Sequence, residues 1–112
     1  MPPDRSPSLD AAVLQDTAAT FGLLSATVRL HLLWLLAAGE QDVGSLAEAV
    51  GQSVATVSHH LGKLRLAGLV RARREGKRQV YVADDPRVVE IVRTAVGHHG
   101  DRRATAPARR RA

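Results

Sequence analysis

The feature that most constrains this chain is a change of hydrophobic period at Gly68. Before it, apolar residues recur at helical spacing; after it, they alternate. Val54, Val57, Leu61 and Leu64 share one side of a helix predicted from Val54 to about Leu66, with Ser53 placed to cap it. Past Gly68, Val70, Ala72 and Arg74 alternate with Arg71 and Arg73, and Val80 and Val82 bracket Tyr81. Two strands joined by a tip from Glu75 to Arg78, with Gly76 inside it, account for that pattern. A short helix that passes directly into a hairpin narrows the choice of folds sharply.

The residues upstream narrow it further. Asp42 is a suitable N-cap for a short helix carrying Leu46, Ala47 and Val50, and Gly51 ends it. About three residues then separate it from the next helix, the spacing of a helix-turn-helix unit. With a basic hairpin behind it, the unit takes the winged form. From Leu9 to Ala38 the pattern is almost wholly helical, with Ser25 or Gly22 as the expected break and Gly39 as the stop. Leu9, Val13 and Leu14 form one stripe; Leu24, Val28, Leu32, Leu35 and Leu36 form a second. After the hairpin, Asp84 or Asp85 caps a last helix with Pro86 in its first turn, bearing Val88, Ile91, Val92, Ala95 and Val96. Gly97 and Gly100 are expected to weaken its end. The predicted fold class is mainly α with a small β-hairpin, a winged helix-turn-helix over residues 9–100. Residues 1–8 are expected to be a disordered arm, and residues 101–112 a basic disordered tail.

Charge is segregated along the chain. Residues 1–62 hold two basic side chains, Arg5 and Arg29, against six acidic ones. Residues 63–78 hold seven, Lys63, Arg65, Arg71, Arg73, Arg74, Lys77 and Arg78, against Glu75 alone. A local positive field on a folded unit suits nucleic acid or an anionic membrane surface. The chain of 112 residues has no cysteine, which excludes disulfides, thiolate metal sites and cysteine nucleophiles. No apolar run is long enough to span a bilayer, and the start lacks the basic and apolar regions of a signal peptide, so a cytoplasmic location and no membrane partner are expected. No Ser-His-Asp spacing, glycine-rich phosphate loop or carboxylate pair argues for an enzyme.

Opposite the apolar side of the second short helix fall Thr56, His59 and Lys63, a hydroxyl, an imidazole and an ammonium suited to base edges and phosphates. Ser53 and Ser58 flank this face within reach of the DNA backbone, where the helix N-terminus also attracts phosphate. His60 lies toward the apolar side and is expected to orient its neighbours. The hairpin supplies charge through Arg73 and, at its tip, Lys77 and Arg78. Apolar stripes at both ends of the chain exceed what so small a reading head needs to bury. They predict a homodimer through Leu9, Val13, Leu14, Val88, Val92 and Val96.

Three stretches together carry a family resemblance: LLSATVRLHLLWLL (residues 23–36), VGSLAEAVGQSVATVSHHLGKLRLAGLVRARREGKRQVYV (residues 43–82) and DDPRVVEIV from Asp84. Over Leu9 to Asp101 the chain resembles the ArsR/SmtB family of metal-responsive repressors. The resemblance implies a homodimer through the first and last helices, binding to double-stranded operator DNA, and release when an effector binds. It also implies a metal site shared between last helices, at positions that here are Asp85, Arg87, His98 and Asp101, with His99 as an adjacent imidazole. Arg87 departs from the pattern, because a guanidinium has no lone pair to offer a metal. Asp85 and His98 stand 13 residues apart, about 20 Å along one helix, so they share an ion only across antiparallel helices of a dimer. Nitrogen and oxygen donors without thiolates suit Ni(II), Zn(II) or Co(II) alike. Ni(II), which accepts six ligands, is taken first with Zn(II) as runner-up, and the sequence does not separate these two. His31 lacks a clustered partner and is the weaker candidate. Two alternatives stay open: an Arg87–Asp101 ion pair between subunits in a repressor that has lost metal sensing, and a winged helix that binds protein rather than DNA.

Overall fold

The computed structural model describes residues 8–105. Helices α1 (Ala11–Leu24) and α2 (Thr27–Ala38) lead through a short strand β1 (Gln41–Asp42) into α3 (Val43–Val50) and α4 (Val54–Leu66). Strands β2 (Val70–Glu75) and β3 (Arg78–Ala83) follow, and α5 (Pro86–Ala104) closes the chain. The sheet is antiparallel in the order β1-β3-β2, with Ala72 opposite Tyr81 and Glu75 opposite Arg78.

The core forms where the two hydrophobic periods meet. Leu32, Leu33 and Leu36 of α2 pack with Leu46 and Ala47 of α3 and with Val57, Leu61 and Leu64 of α4. Leu69 closes it from the turn before β2, Val70 and Tyr81 from the sheet, and Val88 and Val92 from α5. The predicted stripe of α4 holds except at Val54. It is 51% exposed, because it is the first residue of α4 and burial begins one turn later at Val57.

Local chemistry sets the element ends. The Ser53 hydroxyl oxygen accepts from the Thr56 amide at 3.1 Å and caps α4. Gly51 ends α3 at φ 71°, a left-handed position that a side chain would strain, and this turn aims α4 away from α3. Gly76 takes φ 64° at the first position of the two-residue wing turn, as a type II′ hairpin requires. The helical stretch breaks at Ser25, and α1 and α2 meet at 92°. No single helix among the described residues is long and apolar enough to cross a membrane.

Three expectations need correction. Strand β1 was not foreseen, because two residues are too few to show alternation. Asp42 precedes α3 but gives it no side-chain cap; its carboxylate instead accepts from the Ser45 hydroxyl at 2.6 Å. Helix α5 does not end at residue 100: it runs through Gly97 and Gly100 to Ala104, so residues 101–104 of the expected disordered tail are helical. Residues 1–7 of the expected arm and 106–112 of the tail lie outside the described residues.

Trp34, the only tryptophan of the chain, stays 42% exposed on α2. Beside it, Arg93 of α5 donates to the Ala37 carbonyl at 2.7 Å, satisfying an acceptor at the end of α2.

Candidate nucleic-acid interface and effector positions

Helix α4 presents an outward face. Thr56, Ser58, His59 and Lys63 are all exposed, while Val57, Leu61 and Leu64 anchor the helix with no exposure. The Ser53 hydroxyl donates to the Thr56 hydroxyl at 2.9 Å while accepting from its amide. Ser53 is therefore committed to the cap, and the Thr56 hydroxyl proton remains to donate outward. Val54 adds an exposed apolar surface at the start of the same helix, of the kind that meets a thymine methyl group. Sequence reasoning had assigned it to the core. Its place at the first helical position was the signal available.

The wing is less uniform than its composition. Arg73 donates to both oxygens of Glu40, at 2.6 and 2.8 Å, and to Glu75 at 2.8 Å. Arg78 donates to Glu75 at 3.2 Å and lies 3.7 Å from Asp42. The hydrogen bond from Arg73 holds the Glu40 carboxyl below the usual carboxylate range, and the Arg73 pKa rises through its bonds to Glu40 and Glu75. Arg71 pairs with Asp84 at 3.1 Å. Among the described residues, Arg74 and Lys77 are exposed and stand in no ion pair. Arg73 and Arg78, expected on sequence to meet DNA, are thus engaged with carboxylates of the hairpin and of the β1 segment. Arg74, which sequence reasoning did not select, joins Lys77 as an unneutralised cation. Cross-strand register explains it: Arg74 shares the face of Ala72 and Tyr81, whereas Glu75 shares that of Arg73.

The expected metal ligands are not brought together in one protomer. Among the described residues no group of three His, Asp or Glu side chains converges. Asp85 caps α5, its Oδ1 accepting from the Arg87 and Val88 amides at 3.1 Å each. Among the described residues, its second oxygen has no hydrogen-bond partner. His98, His99 and Asp101 lie exposed far along the same helix, the two imidazole centroids 4.9 Å apart. Nitrogen and oxygen donors are available at both ends of α5, but one chain cannot close a coordination shell with them. His31 is exposed on α2.

The expected dimer residues divide. Leu9, Val13 and Leu14 are 66%, 54% and 54% exposed, consistent with a face that awaits a partner. Val88 and Val92 are buried within the protomer and Val96 is half-buried, because this stripe of α5 packs on α2. The outward α5 surface is a neighbouring stripe: Ile91, 42% exposed, and Ala95, which line an apolar groove with Phe21 and Leu30.

Two short helices, the second bearing an outward polar and basic row, followed by a cationic hairpin, define a winged helix-turn-helix of the nucleic-acid-binding class. Residues 16–72 match the bacterial regulatory proteins of the arsR family, and the chain belongs to that family. It is 43% identical over 76 residues to the HTH-type transcriptional regulator KmtR of Mycobacterium tuberculosis, spanning 68% of this chain and 58% of KmtR. To NmtR of the same organism it is 37% identical over 93 residues, spanning 83% of this chain and 78% of NmtR. Among solved structures it resembles the homodimeric winged helix-turn-helix DNA-binding domain of a Mycobacterium bovis protein. There the TM-score is 0.74 at 34% identity, over 93% of this chain and 95% of the other.

Proposed function

We propose that the protein is a homodimeric repressor that binds double-stranded operator DNA. The observation that carries this is the exposed row Thr56, Ser58, His59 and Lys63, on a helix anchored by three fully buried residues beside an exposed Arg74 and Lys77. Rigid anchoring lets α4 enter a major groove as a unit, and the wing cations then reach the flanking backbone. The solved relative with the same fold is a homodimer, and this chain carries an exposed apolar groove between α1 and α5 that a second copy would cover.

The effector is a divalent transition metal, Ni(II) before Zn(II), held between subunits. His98, Asp101 and His99 would come from one chain and Asp85 from the other. Supporting this are exposed nitrogen and oxygen donors at both ends of α5 and the absence of cysteine. Metal would bind where the donors of two chains meet, so it would favour one dimer arrangement and alter DNA affinity reciprocally.

A gel-shift assay on the upstream region of its own gene, with sedimentation of the free protein, tests the first reading. A dimer that shifts the duplex at low salt is expected; no binding to any operator-like duplex would move the fold into the protein-binding class. Calorimetric titration with Ni(II) and Zn(II) tests the second. His98→Ala should lose most of the metal affinity, and the wild-type affinity should fall with added acid, because protons compete with the metal for the same ring nitrogens. Equal affinity in wild type and variant would place any metal elsewhere.

A further inference from the structure

Arg29 joins three helices that its sequence position gives no reason to connect. It sits in the first turn of α2, where a cation opposes the helix dipole, so its placement does not serve α2. Its Nε donates to the Leu23 carbonyl at 2.8 Å, in the last turn of α1, where carbonyls lack helical partners. Its Nη1 lies 3.1 Å from Nδ1 of His60 on α4. A guanidinium only donates, so Nδ1 must accept and His60 must be neutral with its proton on Nε2. Arg29 and His60 are both half-buried, which limits competition from water.

We propose that Arg29 and His60 are positioning residues: a strut that fixes the reading helix α4 against the end of α1. The inference rests on the DNA-binding reading above. Helix α1 packs chiefly on α2 and carries an exposed apolar face, while α4 carries the base-reading row. A rigid link from the Leu23 carbonyl through Arg29 to His60 makes the two reading helices of a dimer keep the spacing that the α1 contacts set. The two adjacent histidines then divide their work. His59 points outward to read bases, and His60 points inward to hold the angle of the helix that carries it.

The test uses the full chain and a duplex that the wild-type protein selects from a randomised library, together with the same duplex carrying one inserted base pair between half-sites. Arg29→Met and His60→Leu should each weaken binding about tenfold, the scale of one hydrogen bond to a charged group. The double variant should be no weaker than the worse single one, because both remove the same link. Discrimination against the inserted base pair should shrink, while the salt slope of binding stays as in wild type because no phosphate contact is lost. His60→Asn keeps an acceptor near Nδ1 and should restore near wild-type affinity. If Arg29→Met does not fold, the contrast between His60→Leu and His60→Asn carries the test. Unchanged affinity, additive losses, a salt slope lowered by about one per variant, or equal weakening in His60→Asn and His60→Leu overturns the strut. A wild-type protein that selects no duplex instead overturns the DNA-binding reading on which it rests.

Discussion

At the scale of single residues, charge counts mislead and partners decide. The wing is rich in arginine, yet Arg73 and Arg78 face the carboxylates of Glu40, Glu75 and Asp42. Exposed ion pairs stabilise weakly one at a time, but a guanidinium gripping both oxygens of one carboxylate has a fixed orientation. Replacing Arg74 and Lys77 together by Gln should lower the salt slope of DNA binding by about two, whereas Arg73→Gln should leave it nearly unchanged. The reverse ranking would put the phosphate contacts on the paired arginines. His60 gives a second prediction, in pH. Burial lowers its pKa, with Arg29, His59 and Lys63 adding their positive potential. Its folded pKa therefore lies below its unfolded value of about 6.5, and the unfolded chain takes up the proton first. That part of the stability is intact above about pH 6.5 and is lost as pH falls from there through the folded pKa. Thermal unfolding at about pH 7.5 and 5.5 should show the drop, and His60→Asn should flatten it.

At the scale of elements, α5 separates what the sequence discloses from what it conceals. The helix-turn-helix and the wing were legible because their punctuation is chemical: Ser53 caps, Gly51 turns left-handed, Gly76 opens the hairpin. The period of α5 was legible too, but not its orientation. Val88, Val92 and Val96 form an apolar stripe that serves a partner or the protomer's own core equally well on paper, and the protomer takes it. Gly97 and Gly100 suggested an end to the helix, yet each disfavours helix by only about 1 kcal/mol relative to alanine. Arg102 and Arg103 in the last turn interact favourably with the helix dipole. An added Cβ at either glycine meets nothing within 4 Å. Gly97→Ala and Gly100→Ala should therefore each stabilise the fold by about 0.5–1 kcal/mol, read as a higher denaturant midpoint. Gly51→Ala, at a left-handed φ, should instead destabilise by about 1–2 kcal/mol.

At the scale of the whole molecule, the protomer is more extended than a globular chain of its length. Its radius of gyration is 17.5 Å, against about 13 Å expected for a globular chain of this length, and it spans 64 × 45 × 20 Å. Phe21 and Ile91 stay exposed across the groove between α1 and α5, while the core that α5 helps to build lies behind them. Phe21→Glu with Ile91→Glu should give a folded monomer in sedimentation, with native helicity retained and DNA affinity lost. A dimer that survives both changes would locate the subunit contact on another face. The placement of Trp34 has a practical consequence. Its partly exposed indole lies where Arg93 ties α5 to the end of α2, and the chain has no second tryptophan to obscure its signal. Its fluorescence is a built-in gauge of that junction: displacement of α5 by an effector or by DNA should shift the emission maximum of the unlabelled protein.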